Sequence, residues 1–234
     1  MHETQKIGHF WTHIPGYEER QNCATCNAPE LMSHILIHCR ARPTHTIWKL
    51  AKDYWPQENP RWPEISLGII LGCGSIERNN LPKPKDENNQ ETRIGAGTAR
   101  LLQILLTESA HLIWVLRCGH IIQEKTHTAS EIKTRWFNNI NKRLTEDRII
   151  ATVIKRDKAL IHKVKSTWES ILEKTRALLI DWIQDWEVLV GRRTWGLGPT
   201  QDPNPEPHTT PTPEVCVKLH FLSPGPPAQH QRVG

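Results

Sequence analysis

No run of uncharged apolar residues in the sequence is long enough to cross a bilayer. Near residue 110 the longest stretches free of Lys, Arg, Asp and Glu are LLQILLT and SAHLIWVL, well short of the ~20 residues a spanning helix needs. A secretory leader pattern is also missing, since Met1 is followed by the polar HETQKIGHFW. Cysteine is sparse: six in 234 residues is not the density of a disulfide scaffold. Three catalytic signatures are lacking: the phosphate loop G-x-x-x-x-G-K-[ST], the zinc-protease pattern H-E-x-x-H and the nucleophile elbow G-x-S-x-G. GAGTAR (95–100) offers a G-x-G ahead of a helix, but no strand precedes it and the third glycine is missing. No repeat at a solenoid period is found. Together these absences point to an intracellular, non-membrane chain, the nucleus included, in which clustered Cys and His favour a metal over a disulfide.

Against that background one segment stands out. CATCNAPELMSHILIHC (23–39) packs three cysteines and two histidines into one short stretch, while Cys73, Cys118 and Cys216 are scattered. Cys23, Cys26, His34 and Cys39 form C-x2-C-x7-H-x4-C, four soft or borderline donors for a closed tetrahedral Zn2+ site. The two-residue gap lets a tight knuckle turn both thiolates to one point. On a regular α-helix, positions five apart lie about 140° from each other, so a helix starting near Glu30 must tighten or end at Cys39. His38 lies on the same face as His34 and competes for the fourth position. Thiolate chemistry favours Cys39, and Arg40-Ala41-Arg42-Pro43 reads as a helix exit.

The rest of the chain reads as helical. Residues 1–22 are irregular around a Pro15-Gly16 turn. Ile47, Leu50, Ala51, Tyr54 and Trp55 fall on one helical face that Pro56 ends. WPEISLGIILGCG suggests a short apolar helix opening near Pro63, and 79–92 a polar, Pro-punctuated linker. From Thr98 to Glu124 the sequence is apolar around most of a helix (Leu101, Leu102, Leu105, Leu106, Leu112, Ile113, Leu116), which demands burial on several sides. Ser130 is positioned to cap a helix burying Ile132, Trp136, Ile140 and Leu144. Thr145, followed by Glu146 and Asp147, is positioned to cap a further one carrying Ile149, Ile150, Val153 and Ile154. A helix from Ala159 to Leu179 would pack Val164, Trp168, Ile171 and Leu172, and DWIQDWEVLVG would end at a Gly191 cap. Nine of the 17 prolines follow residue 198, so the tail should be disordered. The expected architecture is mostly α: a zinc-binding module with its following helix (1–60), a short apolar segment and linker (61–97), a helical bundle (98–192) and a disordered Pro-rich tail (193–234).

Charge is unevenly spread. The net charge is +5, yet residues 125–165 hold eleven Lys/Arg against four acids. Such a block points to an anionic partner, nucleic acid first. Lys133, Arg135, Lys142, Arg143, Arg148, Lys155, Arg156 and Lys158 are its candidate phosphate contacts. Trp136 and Trp168 lie among them and could stack on bases, but core packing is the stronger reading. His111 and His120 read as core or boundary histidines, and Asp181 and Asp185 as a solvated helix face.

Phe10-Trp11, the run Ile14-Pro15-Gly16-Tyr17-Glu18-Glu19-Arg20, the C-x2-C pair, an acidic residue ahead of the histidine and H-I-L-x-x-C together resemble a known pattern. It is the zinc-binding region that follows the reverse transcriptase and ribonuclease H-like domains of non-LTR retrotransposon polyproteins. Residues 46–72 and 98–192 are similar to the helical C-terminal extension of fungal members. The resemblance covers about three-quarters of the chain. It implies that Cys23, Cys26, His34 and Cys39 are the metal ligands and that polymerase and nuclease active sites belong upstream. The chain would then be a truncated, non-catalytic zinc-binding remnant that engages nucleic acid. The helix that normally opens the family's zinc module is not seen, and the Pro-rich tail departs from the pattern. The alternative is a protein–protein interaction or oligomerisation module with a structural zinc clip, which would self-associate.

Overall fold

The protein is described by a computed structural model covering residues 6–56, 61–76, 96–154, 157–172, 182–184 and 188–190. The linker at 79–92, the Gly191 cap, Asp181, Asp185 and the tail from 193 lie outside the described residues. Among those described the fold is mostly helical, with no strand beyond two isolated bridges, Asn22–Pro29 and Leu172–Val190. Five α-helices carry it: α1 (Arg42–Asp53), α2 (Leu67–Leu71), α3 (Ala96–Gln123), α4 (Ala129–Val153) and α5 (Lys158–Trp168).

Helix α3 is the hub. Leu101, Leu102, Leu105, Leu106, Leu112, Ile113 and Leu116 are all buried, because α1, α2, α4 and α5 each pack against it. Each such side chain taken fully from water contributes about 1.5–3 kcal/mol. By length and composition α3 could cross a membrane, but most of its surface is covered by the rest of the protein. The faces read from the other periodicities are also buried: Ile47, Leu50, Ala51 and Trp55 around α1, and Ile132, Trp136, Ile140 and Leu144 on α4. Val164, Trp168, Ile171 and Leu172 join the same cluster, which runs without a break from Ile35 to Val190. The Cys/His segment and the helices thus share one core.

Polar ties fix how the helices meet. Trp136 Nε1 donates to Ser109 Oγ at 3.0 Å in the α3–α4 interface. Arg100 on α3 grips Asp147 on α4 through two bonds of 2.6 Å, and Trp168 Nε1 on α5 donates to the same carboxylate at 2.7 Å. Trp136 and Trp168 are fully buried and cannot stack on a base. Gly97 lies where α3 and α5 cross in close contact, since a Cβ there would fall onto the Ser166 carbonyl. That glycine serves packing rather than phosphate binding.

Several boundaries differ from the sequence expectation. The α4 cap is Thr128, not Ser130. Its hydroxyl accepts the Glu131 amide at 3.2 Å, and Glu131 returns a carboxylate to the Thr128 amide at 2.7 Å. Ser130 has lysine at the reciprocating position, so it cannot close such a box. Thr145 begins no new helix: α4 runs through it, and its hydroxyl donates back to the Asn141 carbonyl at 2.9 Å. As a result Ile149, Ile150, Val153 and Ile154 do not pack inward but stand exposed. Helix α2 opens at Ser66, whose Oγ accepts the Ile69 amide, rather than near Pro63. Helix α5 closes at Trp168, and Ile171 and Leu172 reach the core from the turn that follows it. His111 and His120 both lie exposed on α3.

Candidate metal centre

The knuckle is built by backbone turns. The amides of Cys26 and Asn27 both donate to the Cys23 carbonyl, at 3.2 and 2.7 Å, and Cys23 donates to Ala28 at 2.8 Å. Asn27 takes a positive φ of 54°, a conformation in which asparagine is among the few tolerated residues. Glu30 N–H to Gln21 C=O at 2.9 Å closes the loop's base.

The second ligand pair comes from an unusual turn. His34–His38 is a π-helical turn in which the Cys39 amide reaches the His34 carbonyl at 2.7 Å. Widening the helix, rather than tightening it, lets positions five apart share a side. The segment then turns extended at Cys39, as the Arg40–Pro43 exit required. Backbone carbonyls inside the turn find donors on α1: Trp48 Nε1 to Leu36 C=O at 2.7 Å and Thr44 Oγ1 to Ile35 C=O at 3.4 Å.

Cys23, Cys26, His34 and Cys39 converge, with one ligand atom from each lying within 4.8 Å of the others. The Cys39 sulfur is 3.7 Å from that of Cys23 and 3.9 Å from that of Cys26. A tetrahedron with metal–sulfur bonds of about 2.3 Å has edges of about 3.8 Å, whereas a disulfide would bring sulfurs to about 2.05 Å. His34 is buried, and its Nε2 has no hydrogen-bond partner among the described residues, a condition few buried nitrogens tolerate. His38 is exposed and stands outside the group, so Cys39 takes the position the two contested.

Two backbone amides point at the sulfurs. Arg40 N–H donates to Cys26 Sγ at 3.2 Å and Ala41 N–H to Cys39 Sγ at 3.4 Å. The Arg40 amide holds the Cys26 thiol below its ordinary range. Burial, with the neighbouring Cys23 and Cys26 adding to it, pushes Cys39 up to about 12. A divalent cation at their centre would stabilise negative sulfur. The arrangement could therefore hold a metal ion.

One supporting feature had no local signature. Glu30, buried, is paired by the Arg117 guanidinium of α3, whose Nε donates at 3.1 Å while a second nitrogen grips the other oxygen. The partners are 87 residues apart. In the lead-in, Arg20 stacks over Trp11 at 5.2 Å and Tyr17 at 4.6 Å, and Gly8, at φ 51°, lies against the Glu30 carbonyl.

The described residues of the basic block do not gather into one patch. Arg135 and Lys142 share the outer face of α4, and Lys158 is exposed at the start of α5. Lys133 instead lines a groove with His45 and Lys49 of α1. Arg143 is half-buried and paired with Glu146 at 3.2 Å. Arg148 is no phosphate contact: it is buried, and its Nε donates to the Ile183 carbonyl at 3.0 Å. The segment at 182–184 packs over α4 and its backbone needs a donor there. Lys155 and Arg156 lie outside the described residues. Comparison of the chain with protein-family models, curated proteins and solved structures finds no match.

Proposed function

We propose that Cys23, Cys26, His34 and Cys39 bind a structural Zn2+ and that the protein is a non-catalytic nucleic-acid-binding module. In origin it would be related to the zinc-binding region and helical extension of a retroelement reverse transcriptase/ribonuclease H polyprotein, working inside the cell. One observation carries the metal reading: sulfurs at tetrahedral spacing around a buried, unpartnered imidazole nitrogen. Three thiolates and one imidazole suit zinc over the oxygen-loving cations. Ile35 and Leu36 tie the second half of the segment to the core, but the knuckle at 23–29 has no residue in that cluster, so the ion would contribute folding free energy there.

Arg135, Lys142 and Lys158, exposed, would engage phosphates in a sequence-independent, salt-sensitive manner. The test has two parts. Purified protein should contain stoichiometric zinc and the Cys23→Ser variant should not. Labelled RNA and DNA should bind at low salt and release as salt rises; absence of binding at low salt overturns the nucleic-acid reading.

A second reading, an interaction or oligomerisation module, is favoured by exposed Ile149, Ile150, Val153 and Ile154 at the end of α4. Apolar contacts survive salt, so light scattering on a sizing column at high salt separates the two: persistent oligomers support this reading.

A further inference from the structure

A cavity of about 260 Å³ opens between the metal-binding segment and the end of α3. Its walls are apolar, with Ile35, Pro43, Ile113, Leu116 and Ile121 among them, and Cys23 and Cys39 form part of one side. Its rim is cationic: Arg40, Arg42 and Lys125 are exposed and make no ion pair among the described residues. The one carboxylate in the lining, Glu30, is already neutralised by Arg117. His120 and His127 add two flat rings. Even with three thiolates around a dication, which leave one negative charge, the cations outnumber the anions.

We infer that this cavity receives one extruded nucleotide of a single strand, its base against the apolar walls and its flanking phosphates on Arg40, Arg42 and Lys125. The inference rests on the nucleic-acid reading and makes it specific. A flat apolar body joined to phosphates matches an apolar slot with a basic rim. Exposed bases of single strands are held in this way, by stacking on flat or apolar side chains beside charged contacts to the backbone. The metal-binding loop forms one wall, so zinc would be required for the slot although it touches no base.

The test uses the zinc-loaded full chain and two labelled probes of equal phosphate number, a hexathymidylate and an oligomer of abasic sugars. The base should tighten binding about tenfold over the abasic probe. Ile121→Trp, which fills the cavity, should abolish that preference. Lys52→Gln, exposed in the last turn of α1 and outside the cavity lining, is the control and should leave the preference intact. Should Ile121→Trp fail to fold, Arg42→Glu decides instead: it lies exposed in the first turn of α1, where an acid is tolerated, and should weaken hexathymidylate binding about tenfold. Equal affinity for the two probes, a folded Ile121→Trp chain with an unchanged preference, or an Arg42→Glu chain that binds hexathymidylate as before overturns the cavity while nucleic-acid binding stands. Failure of both probes to bind at low salt overturns both.

Discussion

The Cys39 amide donates to the His34 carbonyl at 2.7 Å across one widened turn, and this single bond brings the histidine and the last cysteine to the same side of the backbone. The ligand set therefore depends on a backbone irregularity, held from outside by Trp48 and Thr44 of α1. His34→Ala or Cys39→Ser should release zinc and His38→Ala should retain it, as read by elemental analysis of purified protein. Zinc loss in the His38 variant alone would reassign the fourth ligand.

The Glu30–Arg117 pair should matter more than a surface ion pair. Both side chains are largely buried, so removing one leaves the other charged and unpaired. Either Glu30→Gln or Arg117→Met should cost about 3–5 kcal/mol in urea unfolding. The double replacement Glu30→Leu with Arg117→Met should recover much of that loss, and a double-mutant cycle measures how much.

Two glycines of α3 should respond with opposite signs. Gly97→Ala drives a methyl into the α5 backbone and should destabilise by at least about 1–3 kcal/mol. A Cβ at Gly119 meets nothing within 4 Å, so Gly119→Ala should stabilise by about 0.5–1 kcal/mol through helix propensity. Melting temperatures of the two variants check the contrast.

Acid should loosen the start of α4. The Thr128 amide and hydroxyl hold the Glu131 carboxyl below the ordinary glutamate range. A depressed folded-state value means that its stabilisation is complete above the unfolded-state value and is lost as pH falls through the folded one. Amide exchange at residues 128–132 should therefore accelerate below the ordinary glutamate range, and Glu131→Gln should blunt that dependence.

Much of this fold was legible from the residues alone, for physical reasons. Burial on several sides follows from the apolar circumference of α3, and ligand spacing survives translation into three dimensions because a C-x2-C turn has few conformations. What failed was reading Thr145-Glu146-Asp147 as a helix start. Asp147 is an acid in mid-helix because Arg100 and Trp168, both far away in sequence, satisfy it. Arg148 looked like a surface cation for the same reason: its acceptor, the Ile183 carbonyl, is a backbone atom and leaves no mark on side-chain pattern. The cationic rim beside the Cys/His loop was missed because Lys125 is far in sequence from Arg40 and Arg42 and meets them only once α3 lies against the loop.

The exposed end of α4 gives a separate check. Ile150→Lys with Val153→Glu should change stability by no more than about 0.5 kcal/mol, because neither side chain is in the core. If the chain self-associates through this stripe, the same pair of changes should return it to a monomer in light scattering.

The reach from Glu30 to Arg117 bears on how the chain matures during synthesis. Cys23, Cys26, His34 and Cys39 leave the ribosome long before the arginine that will anchor their loop. At roughly 5–20 residues per second the delay is on the order of ten seconds. Through that interval the proposed zinc ion would be the loop's main restraint, and without it Glu30 would wait for its cation on a loop held only by its own backbone turns.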